Sequence, residues 1–396
     1  MQDAPIAANP VFAACGTTIF EVMSRLAADH GAVNLGQGYP EGLEPAFLIE
    51  AAVEALTTGG QQYPPMMGLP VLRQAVAAHD RRFYGLDLDW QNEVMVTSGA
   101  TEALADCLFG LIRPGDGVVV LEPMYDSYLP IIRRAGGVPR LIRLAPPDWR
   151  LPREALAAAF TPDTRLLLLN SPMNPTGKVF DLDDLSFIAT LLVRHRAIAV
   201  CDEVYEHLVY QGHRHIPLIS LPGMRHCCLR IGSAGKSFSV TGWKVGYVVA
   251  APPLLQPVAR AHQYITFTTP PALQQAVAVG LASGDDYYLG LIRDLSQKRD
   301  FLAAGLDEIG LTVHACHGSY FLIADISATG FTDDFEFCRH LTVAAGVAAV
   351  PVSAFFEADG PRHYARFCFA KRQQTLDQAM QRLRHAAAVG VLRPPA

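Results

Sequence analysis

The stretch Ile231-Gly-Ser-Ala-Gly-Lys-Ser-Phe-Ser-Val-Thr-Gly-Trp-Lys-Val-Gly-Tyr247 is bounded by two short apolar runs, Cys228–Ile231 and Val245–Ala250. Both have the length and aliphatic content of strands buried on two faces. The link between them is short and carries Lys236, so the two strands are expected to pair antiparallel. Working outward, five more runs of the same kind precede them: Val94–Val96, Val118–Leu121, Val138–Ile142, Arg165–Leu169 and Ala197–Cys201. Helical patterns separate several of these, notably Thr101–Ile112 and Asp181–Arg196. In the latter, Leu185, Ile188, Leu192 and Val193 fall near one stripe. Alternating strands and helices predict an α/β fold, with a mostly parallel seven-stranded sheet covered on both faces.

After about residue 285 the pattern changes. A helix through Leu295 and Leu302 is followed by the runs Leu311–Ala315 and Tyr320–Ala324, a helix near Phe335–Ala344, the run Arg366–Phe369 and a final helix at Gln373–Ala388. This reads as a smaller α+β domain. With 396 residues the chain exceeds what one core usually serves. We expect an N-terminal arm at 1–45 packed on the small domain, a large domain at 46–285 and a small domain at 286–396.

Half of the residues are hydrophobic, 18% are charged and the net charge is −6, which describes an ordinary globular protein. No run of Lys and Arg offers nucleic acid an electrostatic footprint. The first basic residue is Arg25, so a positive leader region is missing, and no apolar stretch is long enough to span a membrane. The eight cysteines form no CxxC pair and read as reduced, buried thiols of a cytoplasmic protein. His213, His215 and His226 lack a ligand pattern, so no metal site is expected.

Three chemistries compete for the opening segment. A P-loop needs GxxxxGK[ST], and Arg230 stands where its first Gly belongs. Ser233 and Lys236 form SxxK, but neither SDN nor KTG occurs elsewhere. The third is a Schiff-base lysine flanked by phosphate ligands: Ser233 offers a hydroxyl, Lys244 a charge, and the glycines allow close approach. A bland surface loop is the alternative.

Other segments offer matching parts. Asp202 ends an apolar strand, where open α/β sheets bind ligands. An ionised acid there would keep a pyridoxal phosphate ring nitrogen protonated, so that the ring withdraws electrons. Tyr205 is close enough in sequence to reach the ring's phenolic oxygen. A helix cap is the plainer reading of Asp202. In Thr97-Ser-Gly-Ala-Thr101 a strand gives way to a helix, and the amides of Ala100 and Thr101 can hold phosphate. Asn174, in the turn Asn170–Gly177, would be aimed at the top of the sheet. Arg366 is a lone cation in an apolar strand, able to grip a carboxylate or to serve a structural ion pair.

Taken in order, the chain resembles the fold-type-I, class I pyridoxal-phosphate-dependent aminotransferases, most of all their kynurenine/glutamine transaminase and methionine aminotransferase branch. The resemblance rests on NLGQGYPEG (34–42), QYPPMMGLPVLRQA (62–75), TSGATEAL (97–104), EPMYDSY (122–128), NSPMNPTGKVF (170–180), CDEVYEHLVY (201–210), GSAGKSFSVTGWKVGY (232–247), HQYITF (262–267), PVSAFF (351–356) and RFCFAK (366–371). It implies that Lys236 holds the cofactor and moves the substrate proton, with Asp202 on the ring nitrogen. Asn174 and Tyr205 would hold the phenolic oxygen, and Tyr125 would stack on the ring. Ala100, Thr101, Ser233 and Lys244 would bind the phosphate, with Lys in place of the Arg of many relatives. Tyr63 would reach a neighbouring subunit's phosphate, which implies a homodimer with shared sites. Arg366, helped by the Gly38 backbone, would bind the α-carboxylate. Phe20, Tyr39, Tyr125, Phe267 and Phe355 would line the side-chain pocket. The implied reaction is ping-pong transfer of an amino group from a large neutral amino acid to a 2-oxo acid. A cysteine-conjugate β-lyase, a succinyl-diaminopimelate aminotransferase and, more remotely, a non-catalytic regulatory protein are the alternatives.

Overall fold

The computed structural model describes residues 8–210 and 212–394, so residues 1–7 of the expected arm lie outside the described residues. Two helices, Pro10–Ala13 and Ile19–Asp29, precede β1 (Val33–Asn34). Seven strands then build the main sheet: β2 (Val94–Thr97), β3 (Gly117–Glu122), β4 (Val138–Arg143), β5 (Thr164–Asn170), β6 (Ile198–Asp202), β7 (Cys228–Ser233) and β8 (Gly246–Ala250). Their spatial order is β2-β8-β7-β6-β5-β3-β4. Only β8 runs against its neighbours, as expected for the strand that follows the link carrying Lys236.

Apart from the partly exposed edge strand β4, the apolar runs are continuous because both faces of these strands are covered. Alternate residues enter different cores. Val119, Leu121, Leu167, Leu169 and Ala199 join one cluster with Leu72, Val76, Leu185 and Ile188 of the helices Pro70–Tyr84 and Leu182–His195. Val118, Val120, Leu166, Leu168 and Val200 join another with Leu104, Cys107, Leu255 and Val258 of the helices Ala100–Leu111 and Pro252–Ile265.

Beyond the main sheet lie β9 (Thr312–Val313), β10 (Phe321–Asp325), β11 (Val347–Ala348), β12 (Val350–Pro351) and β13 (Tyr364–Cys368). Four of them form an antiparallel sheet in the order β12-β13-β10-β9, and β11 pairs in parallel with β1. Leu295, Leu302, Phe337, Leu376 and Leu383 fill its core together with Met23, Val33 and Leu35 from the N-terminal segment. The last helix covers Gln373–Ala388 as expected, whereas the helix expected near Phe335–Ala344 is α-helical only over Asp334–His340 and closes in a π turn at Leu341–Ala345.

Parallel pairing brings the C-terminal ends of β5, β6 and β7 to one edge, and β2 ends there too. Thr97, Asn170, Asp202 and Ser233 are the last residues of these four strands. That edge faces β10 and β13 and forms the walls of a cavity.

Candidate active site

A cavity of about 440 Å3 is lined by Ala100, Thr101, Tyr125, Asn174, Asp202, Tyr205, Ser233, Lys236, Lys244 and Arg366, along with Phe20 and Gly38. Residues from distant segments of the sequence thus share one space. Phe355 reaches it through Phe20, the two rings lying edge to face at 5.8 Å.

Lys236 sits on the short helix Ala234–Ser237 that follows β7. Its Nζ lies 3.2 Å from the Tyr320 hydroxyl, which donates to the Gly38 carbonyl at 2.8 Å. Burial pulls the amine down to about 8, against the opposing pull of Asp202. A lysine so perturbed is a nucleophile near neutral pH. Asp202 faces the cavity from the end of β6. Burial pushes its carboxyl up, and the Tyr128 hydroxyl, which donates to Oδ2 at 2.5 Å, opposes that shift. Asn170 locks the neighbouring turn: its Nδ2 donates to the Asp202 carbonyl at 2.9 Å and its Oδ1 accepts the Asn174 N–H at 2.8 Å.

Arg366 is 1% exposed in β13. Its Nη1 donates to Asn174 Oδ1 at 2.8 Å and Nη2 to the Gly36 carbonyl at 2.7 Å, while Nε has no partner among the described residues. The guanidinium lies 3.9 Å from the Phe321 ring centroid. Among the described residues no carboxylate pairs with it, which removes the structural ion pair as its explanation. Burial lowers it to about 10, so it stays cationic. A buried, unpaired guanidinium with a free N–H calls for an anion from outside. Gly38 is glycine for space, since a Cβ there would sit 2.8 Å from Phe321 Cζ.

The helix Ala100–Leu111 starts at Gly99 in a left-handed conformation with φ 84°, and no side chain caps it. A Cβ on Gly99 would lie 3.3 Å from Lys244 Nζ, and one on Gly246 would lie 2.7 Å from the Gly99 carbonyl carbon. The glycines therefore bring a helix N-terminus, a lysine and the Ser233 hydroxyl into one cradle, an anion site by dipole and charge.

Not every expected residue comes to this cavity. Tyr39 turns away into a second cleft and lies 4.1 Å over Lys371. Tyr63 is 82% exposed and packs edge to face on Phe267 at 5.8 Å, both outside the walls in one subunit. The structure also adds residues that sequence reasoning passed over. Tyr128 and Asp126 lay in a quoted motif without a role, whereas nothing local marked Tyr320 or Phe321. Asp126 lines the cavity with no ion-pair partner among the described residues.

The family model for aminotransferase class I and II matches residues 30–383. The chain belongs to this family. A solved methionine aminotransferase from Escherichia coli is 39% identical, superposes with a TM-score of 0.93 and is matched over 96% of this chain and 100% of its own. The solved N-succinyldiaminopimelate aminotransferase of Mycobacterium tuberculosis is 43% identical, also with a TM-score of 0.93, over 98% of this chain and 100% of its own. Kynurenine–oxoglutarate transaminase 1 of Rattus norvegicus is 37% identical over 91% of this chain and 93% of its length. The fold is therefore fold type I, and this protein is a pyridoxal-phosphate-dependent aminotransferase. The cavity's donor set fits that cofactor: a buried amine for its aldehyde, a carboxylate across the cavity, and a separate cradle for its phosphate.

Proposed function

We propose that this aminotransferase takes its amino group from a large neutral amino acid, such as methionine, glutamine, phenylalanine or kynurenine, and passes it to a 2-oxo acid by a ping-pong route. One observation carries the choice of donor. The cations lining the cavity among the described residues are Lys236, Lys244 and Arg366. In our reading the first two serve the cofactor and the third the α-carboxylate, so no cation remains for a second carboxylate, and Asp126 would repel one. Phe20, Phe321 and Phe355 give larger apolar side chains a surface to fill.

The remaining roles follow from the geometry. Bound pyridoxal phosphate would supply an electron sink for the pair left when the α-proton departs. Lys236 would hold the cofactor, then accept the α-proton on Nζ and return it elsewhere. Asp202, whose ionised form the Tyr128 hydroxyl favours against burial, would hold a proton on the ring nitrogen. Tyr205 and the amide nitrogen of Asn174 would donate to the phenolic oxygen, since Asn174 Oδ1 is engaged by Arg366. Tyr125 would stack on the ring. The amides of Ala100 and Thr101, the Ser233 hydroxyl and Lys244 would hold the phosphate. Arg366 and the Gly38 backbone would hold the substrate carboxylate and so aim its α-hydrogen at Lys236.

The donor test is kcat/KM for methionine, phenylalanine, glutamine, alanine and aspartate against one 2-oxo acid. Phe20→Ala or Phe355→Ala should cost the large donors about tenfold or more while sparing alanine. Aspartate as the best donor of the unaltered enzyme would overturn the reading. Likeness to the mycobacterial enzyme favours a second reading, N-succinyldiaminopimelate as donor, so that compound joins the panel; its preference over every neutral donor would establish it. Arg366→Lys is expected to weaken all donors and acceptors by about 100-fold, because the fork becomes a point charge and the α-carbon loses its aim. A loss confined to one donor would mean that Arg366 reads the side chain.

A homodimer with shared sites is part of this proposal. Tyr264 and Tyr63 are each 82% exposed, beside partly exposed Ile265 and Phe267, which is a surface suited to a partner subunit. Mixing inactive Lys236→Ala with an inactive Tyr63→Ala protein should restore activity, since a heterodimer collects both lesions in one site. A fully exchanged mixture that stays inactive refutes the sharing. The eight free cysteines support a cytoplasmic location, and among the described residues no helix is long and apolar enough to cross a membrane. The core that holds Leu295, Leu302, Leu376 and Leu383 with Met23 and Leu35 supports division into the arm at 1–45, large domain at 46–285 and small domain at 286–396, with Val204, Tyr205 and Tyr210 of the large domain packed on it.

A further inference from the structure

A buried triad behind the phosphate cradle has no part in the roles above. Glu102 and Asp106 lie one turn apart on the helix Ala100–Leu111, and His262 comes from the helix Pro252–Ile265. Asp106 and His262 are fully buried, and the Glu102 side chain is nearly so. His262 Nε2 lies 3.0 Å from the Met66 carbonyl oxygen, which can only accept, so Nε2 carries a hydrogen. Nδ1 lies 2.8 Å from Glu102 Oε1 and 3.6 Å from Asp106 Oδ2. Among the described residues neither oxygen of Asp106 has a hydrogen-bond partner. An ionised Glu102 has nothing to donate, so Nδ1 carries a hydrogen too and the ring is an imidazolium. Burial works against that charge, but Asp106 and Glu102 outweigh it and raise the ring to about 9.

Both ends of this bridge lead to the cofactor. The second oxygen of Glu102 accepts the N–H of Ser98, the residue just before the Gly99 turn. Ser98 Oγ also meets Thr269 Oγ1 at 3.0 Å, two residues beyond Phe267. At the other end, Met66 is three residues from Tyr63, and its neighbour Met67 accepts the Val96 N–H at 3.0 Å.

We propose that His262 is a positioning residue which, by bridging Glu102 to Met66, sets two things at once: the amide-bearing end of the helix Ala100–Leu111 at its own subunit's cofactor phosphate, and the Tyr63 segment lent to the partner's cofactor. The lent half of this inference rests on the shared-site reading above.

Removing His262 alone would leave two buried carboxylates uncompensated. The test therefore uses the double variant Asp106→Asn/His262→Gln, which removes one buried carboxylate together with the imidazolium, so the net charge of the triad is unchanged, while a single Gln amide cannot span from Glu102 to Met66 as the two ring nitrogens do. Glu102→Gln is the second variant: it keeps the volume, but its amide turns an N–H toward one of two donors, so one link breaks. Cofactor Kd is measured by titrating apoprotein with pyridoxal phosphate and following fluorescence. The expected result is a Kd raised about tenfold or more in both variants, with a smaller fall in kcat at saturating cofactor and a smaller Kd shift in Asp106→Asn alone. An ion pair serving stability only would lower the apoprotein Tm and leave Kd in place, which overturns the proposal. A divalent ion found in stoichiometric amount in the purified protein would also overturn it, since the ion would replace the proton on Nδ1.

Heterodimers with a Lys236→Ala subunit leave one competent site and separate the two halves. The double variant placed in the Lys236-bearing subunit tests the subunit's own phosphate site. Placed in the Lys236→Ala subunit, it tests the lent segment, with Tyr63→Ala there as calibrator. Weaker cofactor binding in both arms is expected. If the calibrator weakens binding but the double variant in the same position does not, the lent role fails. If the calibrator itself has no effect, the shared-site reading fails instead, and the own-site arm still stands or falls by itself.

Discussion

Lys236→Ala is expected to lower transamination by about 10^4-fold or more, because one side chain both anchors the cofactor and moves the proton. Its amine lies between the rings of Tyr205 and Tyr320, and Lys244, the next lysine along the chain, lies instead at the Gly99 turn. The fold should survive, since the Nζ makes a single hydrogen bond. Borohydride reduction of the loaded enzyme followed by digestion should place the modification on Lys236. Finding it on Lys244 or Lys178 instead would sink the assignment. The pH dependence gives a second check. Burial places the amine near 8, below the ordinary lysine range, so it is largely protonated at pH 6 and largely neutral at pH 9. Capture of pyridoxal phosphate by the apoprotein should accelerate as pH rises through about 8. A flat profile over that interval would mean that the amine titrates elsewhere.

Asp202→Asn should leave the protein folded and cost about 10^2–10^3-fold in kcat, a few kcal/mol, the scale of one preorganised electrostatic group. Asn occupies the same volume and its oxygen still accepts the Tyr128 hydroxyl. What it lacks is the charge that holds a proton on the ring nitrogen, so the electron sink weakens while the site keeps its shape. Burial alone would favour a neutral carboxyl at this position, and Tyr128 works against that. Tyr128→Phe is accordingly expected to show a smaller loss of the same kind, with its pH profile shifted upward as Asp202 becomes harder to ionise. Near-normal turnover of Asp202→Asn would refute the electronic role.

The main sheet was legible because all its strands except the edge strand β4 are buried almost throughout. Every residue of β3, β6 and β7 had to be compatible with burial, so the strands stood out as unbroken runs. The strand ends were legible for a related reason: a polar residue closing such a run, as Asn170, Asp202 and Ser233 do, has only the ligand-binding edge of a parallel sheet to occupy. Tyr39 shows the limit. It neighbours Gly38 in sequence, yet the backbone directs its ring into another cleft, and no local pattern encodes that direction. Arg230 is a second case. From the sequence it was the residue that spoiled a phosphate loop. In the structure it is 0% exposed and bound to Asp80, Glu203 and Glu206, with Tyr84 and Tyr247 packed on its guanidinium.

By itself, then, the sequence determined the α/β architecture and the identities of the groups at the strand ends, because burial and the two-residue and 3.6-residue periods act on neighbours along the chain. Tertiary structure alone decided which groups control those residues: Tyr128 on Asp202 across 74 positions, Tyr320 on Lys236 across 84 and Arg366 on Asn174 across 192. Such pairs have no period. They arise where separate elements pack, a helix against the sheet edge for Tyr128 and the small sheet over that edge for Arg366, and a contact made by packing two layers leaves no mark on the spacing of either.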